Sequence, residues 1–230
     1  MVAFNTLQHS LKSVFPDWVL SRAVILRLPQ ASPWPHLPEE VCVANATETR
    51  QREFIAGRLC ARAMLRELGY DNFPLMMGRD NMPLWPPDIS GSISHTSTAC
   101  AAAAARKTAA ISIGLDIEQC DRVTPDLWPY IATPDELHWI LTKATAEQGK
   151  WAALVFSAKE CFHKCQFPVT GKWLDFHDAR ISIEDGEDRF EVRVNVPLAG
   201  LQGTLWVGRY RFAQDLVITG MVLRSEQGGA

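Results

Sequence analysis

The strongest periodic stretch of the chain runs from Thr47 to Leu68, where Phe54, Leu59, Cys60, Met64, Leu65 and Leu68 recur among good helix formers and Gly69 follows at the natural stop. This spacing predicts a helix with one apolar face. Before it, residues 1–45 read as irregular: Pro16, Pro29, Pro33, Pro35 and Pro38 punctuate a single short strand candidate, Ala23 to Leu28. After it, Asp71 to Pro87 is rich in Pro, Asn and Gly and reads as loop. The run Ala99 to Ala105 has the propensity of a helix. It lies, however, between an extended Gly91 to Thr96 and the apolar, partly β-branched Ala109 to Leu115, so a strand hairpin is expected instead. Pro134, capped by Thr133 with Glu136 three residues after the cap, marks a helix start. That helix should reach Thr142, and another should run from about Glu147 to Cys165. Ile181 to Ile183, Phe190 to Val196, Thr204 to Phe212 and Leu216 to Leu223 then alternate between Gly or Asp turns, as strands of an antiparallel sheet do. Helix followed by strands thus occurs twice. The expected fold is α+β, with two pseudo-symmetric halves, 1–115 and 116–230, each a small, mainly antiparallel sheet packed with helices.

Composition narrows the classes of function. The chain has 230 residues, 47% of them hydrophobic, enough for a real core. A formal net charge of -3 argues against a broad surface for nucleic acid or anionic membrane, so any anionic ligand must be met by a local basic cluster. No stretch approaches the roughly 18 apolar residues of a membrane span, and Met1 to Leu20 has no signal-type apolar core. Cys42, Cys60, Cys100, Cys120, Cys161 and Cys165 form no Cys-x-x-Cys and no zinc-type spacing with His. Reduced thiols and a cytoplasmic location are expected.

Two acidic motifs carry the chemistry. Asp116 and Glu118 end the apolar strand Ala109 to Leu115, and residues two apart share a strand face. Two close carboxylates repel one another, and a hard cation such as Mg²⁺ is the simplest compensation. The bland reading of such a pair is a solvated strand end. A second motif shifts the balance: in Lys159-Glu160-Cys161-Phe162-His163-Lys164, Glu160 and Lys164 are one helical turn apart on a shared face. A carboxylate set with ammonium groups points to a divalent cation and a phosphate. Ser94 and His95, after a strand-like Ser92-Ile93, offer a hydroxyl and an imidazole at a strand end. Arg50, Arg52, Arg58, Arg62 and Arg66 recur along the first long helix; most of such a series solvates one face, and some can clamp a second phosphate.

Taken in order, Arg50-Gln51-Arg52-Glu53-Phe54-Ile55-Ala56-Gly57-Arg58, Gly91-Ser92-Ile93-Ser94-His95, Gly114-Leu115-Asp116-Ile117-Glu118 and Phe156-Ser157-Ala158-Lys159-Glu160, with Lys164 and Lys172-Trp173-Leu174, resemble a 4'-phosphopantetheinyl transferase. The likeness spans roughly residues 45 to 180 and is nearest to the monomeric surfactin-type and enterobactin-synthase-component-D branch. It implies transfer of the phosphopantetheine arm of coenzyme A to a serine of an apo acyl or peptidyl carrier protein, releasing adenosine 3',5'-bisphosphate. It further implies that Asp116, Glu118 and Glu160 hold Mg²⁺, that Lys159 and Lys164 contact the phosphates, and that Arg50 and Arg58 contact the 3'-phosphate beside Ser94 and His95. Arg79 stands where relatives often carry a Lys near the nucleotide. Glu160 is the candidate proton acceptor, with Lys164 assisting. A monomer with coenzyme A between the halves follows from the same likeness. A Mg²⁺-dependent phosphohydrolase and a non-catalytic binding module are the alternative readings of the same residues.

Overall fold

The computed structural model describes residues 4–26, 36–184 and 186–224. Arg27 and Leu28, the expected end of the first strand, lie outside the described residues, as do Pro29, Pro33 and Pro35. The elements run α1 (Phe4–Ser13), β1 (Leu20–Ile25), α2 (Glu48–Glu67), β2 (Ile89–His95), β3 (Ala99–Arg106), β4 (Ala110–Gln119), α3 (Trp128–Ile131), α4 (Pro134–Leu141), α5 (Thr145–Thr170), β5 (Ala179–Glu184), β6 (Arg189–Val194), β7 (Trp206–Ala213) and β8 (Leu216–Arg224). They form two antiparallel sheets, a three-stranded one ordered β1-β3-β2 and a five-stranded one ordered β4-β8-β7-β6-β5. The fold is α+β with a helix on each sheet, as the sequence implies, although the two halves differ in strand number.

The alanine run forms the central strand of the smaller sheet because both of its faces are covered, and a strand buried on both sides reads as one apolar run. Ala102 and Ala104 meet Cys60, Met64 and Leu65 of α2, while Ala99, Ala101, Ala103 and Ala105 share a second cluster with Leu7 and Leu11 of α1 and with Ile113, Leu115 and Ile117 of β4. Small side chains let all these elements approach. The helix α1, in a region that reads as irregular, is held by this cluster, with Leu7 and Leu11 fully buried.

β4 pairs with β8 along its whole length, from Ala110↔Arg224 to Gln119↔Leu216. Residue 115 lies inside β4, which follows the turn at 107–109. The other edge of β4 faces β2, and alternate serines of β2 close the gap. Ser90 donates to the carbonyls of Ala110 and Ile111, both at 2.8 Å, while Leu115 N–H donates to Ser92 Oγ at 3.1 Å and Ile117 N–H to Ser94 Oγ at 3.2 Å. Hydroxyls thus satisfy strand-edge groups that would otherwise be orphaned.

The 26-residue α5 lies across β4 at unusually short range. A Cβ on Gly114 would stand 2.1 Å from the Cys161 carbonyl oxygen, a backbone atom that cannot yield without moving the helix. We expect Gly114→Ala to displace α5 and cost about 1–3 kcal/mol, measured as a lower thermal midpoint, with activity falling because the same helix carries Glu160 and Lys164.

Candidate functional site

The seam between the sheets brings four sequence-predicted residues together. Ser94 is the penultimate residue of β2, Asp116 sits on the face of β4 turned to α5, and Glu160 and Lys164 rise from α5 one turn apart. Lys164 Nζ donates to Asp116 Oδ1 at 2.6 Å and to Ser94 Oγ at 3.2 Å, and Ser94 Oγ donates to the same Asp116 oxygen at 2.8 Å. The Ser94 hydroxyl therefore gives one hydrogen bond and accepts from Lys164 and Ile117 N–H, which uses its full capacity.

Asp116 is 4% exposed, and its second oxygen, Oδ2, is buried with no hydrogen-bond partner. Such an atom costs stability unless something cationic meets it. Two carboxylates crowd it. Burial, reinforced by the charge of Asp116, pushes the Glu160 carboxyl above the usual range although Lys164 opposes this. Glu118 is raised too, first by burial and further by Asp116, against the hydrogen bond from Gln119 N–H. Burial works against the Lys164 charge, yet Asp116 and then Glu160 outweigh it and hold the ammonium above the ordinary lysine range.

These donors suit a hard cation: all are carboxylate oxygens, and one is orphaned in the interior. Among the described residues, however, no three His, Cys, Asp or Glu side chains are gathered into a ready-made cage. An internal ammonium, Lys164, balances Asp116 instead.

The basic residues divide sharply. Arg50 Nη1 lies against His95 Nε2, and His95 Nδ1 lies 3.2 Å from Glu53 Oε2. Burial, then Arg50 and Lys164, lower the His95 pKa to about 4, so the ring is neutral at pH 7. Arg58 is buried, with its guanidinium over the Phe54 ring and its Nε donating to Leu75 O at 2.7 Å; loss of hydration lowers its pKa to about 10. Arg62 supports the same segment through Glu39 and Phe73 O. Arg79 is exposed in a short 3-10 turn, Arg79–Asn81.

Lys159 is not brought to the Asp116 cluster. Its ammonium donates to Ile131 O at 2.8 Å, Glu136 Oε2 at 2.7 Å and Phe176 O at 2.6 Å, which uses all three of its hydrogens in a nearly dry site. Helix geometry gives the reason: adjacent residues project about 100° apart, so Lys159 cannot share the face of Glu160 and Lys164. In this structure it ties α5 to α3, to α4 and to the approach to β5.

From Glu160 and Lys164 a cleft of about 910 Å³ opens between the halves. Its walls are mostly apolar and include Leu84, Trp85, Ile111, Phe167 and Trp173. His163 stacks against Phe167 and Trp173 in the wall. The pattern of the chain marks Glu136 only as a helix cap and Glu53 only as part of a motif, and the cleft lining gathers from separated segments that no local spacing links. The one available signal for the seam was the spacing of Ser90, Ser92 and Ser94.

A family model for the 4'-phosphopantetheinyl transferase N-terminal domain matches residues 38–105, and one for the 4'-phosphopantetheinyl transferase superfamily matches residues 112–218. The break between them falls at the turn before β4, where the sheets also divide. The chain is 31% identical over 225 residues to the 4'-phosphopantetheinyl transferase Svp of Streptomyces mobaraensis, covering 96% of this chain and 92% of that protein. It is 33% identical over 195 residues to the 4'-phosphopantetheinyl transferase PptT of Mycobacterium tuberculosis, 81% of this chain and 86% of that one. Against enterobactin synthase component D of Escherichia coli it is 34% identical over 143 residues, 61% and 66% of the two chains. The chain belongs to the 4'-phosphopantetheinyl transferase family. No described helix is long and apolar enough to cross a membrane.

Proposed function

We propose that this chain moves the 4'-phosphopantetheine arm of coenzyme A onto a serine hydroxyl of an apo carrier protein, in a Mg²⁺-dependent reaction that releases adenosine 3',5'-bisphosphate. The observation that carries the reading is Asp116, buried with one oxygen on Lys164 and the other unpartnered, beside Glu160 at the mouth of an apolar cleft. Asp116, Glu118 and Glu160 would hold Mg²⁺, whose charge would offset that of the pyrophosphate. Lys164, the cation of the group, would meet the phosphate oxygens where negative charge grows in the transition state. The new bond joins the serine oxygen to the β-phosphorus and the bond to the departing nucleotide breaks. Glu160 would accept the serine proton, standing on the cleft wall beside Lys164. The apolar cleft suits the long, uncharged pantetheine arm. Arg50 and His95 would meet the 3'-phosphate at the other side of Ser94, and Arg58 would brace the same part of α2 against the Leu75 segment. The chain would work as a monomer, since both sides of the seam come from one polypeptide. Six free thiols fit a reducing, cytoplasmic setting.

Release of adenosine 3',5'-bisphosphate tests the reading: it should require both coenzyme A and an apo carrier protein. Release at the same rate without the carrier would make the protein a hydrolase. A pH dependence follows as well. Glu118 and Glu160 both have raised pKa values, so they take up protons at a pH where ordinary glutamates are still ionised. Cation binding and proton acceptance need the ionised forms. At limiting Mg²⁺, activity should therefore fall on acidification before the ordinary glutamate range is reached, because protons and the cation compete for these carboxylates, and a profile confined to that range would count against both residues.

A further inference from the structure

We infer that Glu53 is a positioning residue for the nucleotide end of the substrate: its carboxylate fixes Arg50 and His95 as one preformed grip for the 3'-phosphate. The inference rests on reading Arg50 and His95 as the 3'-phosphate contacts. Arg50 and Glu53 are three residues apart on α2 and so share a face. Glu53 Oε2 lies 3.2 Å from His95 Nδ1 and 3.9 Å from Arg50 Nη1, and its side chain is 13% exposed.

The proton positions follow from these neighbours. A guanidinium can only donate, so His95 Nε2, which faces Arg50, carries the lone pair. The ring hydrogen is then on Nδ1, the nitrogen 3.2 Å from Glu53 Oε2. Arg50 thus sets the tautomer, and Glu53, on the Nδ1 side, favours the same tautomer and fixes the rotation of the ring, as the outer partners of ligating histidines do. The other charged groups facing His95 are Lys164 from α5 and Asp116 from β4. Neither contacts Nδ1, which leaves the orientation of the ring to Glu53.

A carboxylate next to an anion site would repel the anion if its charge were free. Here the Arg50 guanidinium, 3.9 Å away, offsets it, and His95 Nδ1 stands 3.2 Å from the same oxygen. The backbone under Glu53 is fixed as well, since Cys100 Sγ donates to Glu53 O at 3.2 Å, and the missing side chain of Gly57 admits Ile93 of β2. The grip therefore stands on a rigid part of α2, which favours positioning over adaptation.

The test compares coenzyme A with 3'-dephosphocoenzyme A as donors, using the full chain, Mg²⁺ and excess apo carrier protein. The wild type should show a much lower KM for coenzyme A. Glu53→Ala should raise that KM about tenfold, the loss of one hydrogen bond to a charged group, move the KM for the dephospho donor far less, and so narrow the gap. Glu53→Gln retains an acceptor for Nδ1–H and should fall between the two. An equal rise in both KM values, or an unchanged gap, would make Glu53 a structural residue and overturn the inference. A wild type that does not distinguish the donors would instead overturn the reading of Arg50 and His95 on which the inference stands.

Discussion

Glu160→Gln is expected to abolish transfer to a carrier protein while leaving the fold intact. Glu160 lines the cleft on the α5 face it shares with Lys164. An amide of the same shape fits there without displacing the helix, so stability should hardly change. Two functions are lost together. The amide is a poor ligand for a hard cation, and it cannot take up the serine proton; general-base catalysis alone is worth roughly 10²–10⁴ in rate. Removing the charge also leaves Lys164 paired more exclusively with Asp116, 2.6 Å away. The check is a carrier-labelling assay at saturating coenzyme A beside a thermal melt. Near-normal labelling by the variant would remove Glu160 from both roles.

Lys159→Met should have the largest effect on stability and little specific effect on substrate affinity. Lys159 and Glu136 are 2.7 Å apart with side chains 3% and 2% exposed. Glu136 also accepts the backbone N–H of Thr133 at 2.6 Å and of Ile181 at 2.5 Å, so it cannot swing out to water. Removing one partner of such a pair strands the other charge and costs about 3–5 kcal/mol. In a chain of this size each kcal/mol lowers the melting temperature by about 2–4 °C, so a fall on the order of 10 °C is expected. Adding Glu136→Gln should recover part of it, because the stranded charge is removed while an acceptor oxygen remains. A phosphate-binding lysine would behave in the opposite way, with an unchanged melt and a raised KM for coenzyme A.

The contrast between Lys159 and Lys164 shows what could be read from the chain and what could not. Long elements were legible from local pattern: α2 from its apolar spacing, α4 from Thr133, Pro134 and Glu136, and β5 to β8 from alternation. The alanine strand was legible only through its neighbours, because burial on both faces leaves no alternation to detect. α1 was hidden by Asn5, Thr6, His9, Ser10 and Ser13, poor helix formers whose cost is offset by the burial of Leu7 and Leu11. Within the site, Glu160 and Lys164 are neighbours on one helix face, so their association follows from sequence spacing. The partner of Lys159 comes from another helix 23 positions away, and helical spacing carries no information about it. Asp116 was recognisable as a strand-end carboxylate. That its first cation is Lys164 depends on how closely α5 can approach β4, which Gly114 sets. The apolar cleft was illegible for the same reason, being assembled from loops and a helix end that meet only in the folded chain.

The most direct test is the intact mass of an apo carrier protein after incubation with this chain, coenzyme A and Mg²⁺. The account predicts a gain of one phosphopantetheine group on the carrier serine with the wild type and none with Glu160→Gln. A carrier left unmodified by the wild-type protein, across acyl and peptidyl carriers, would contradict it.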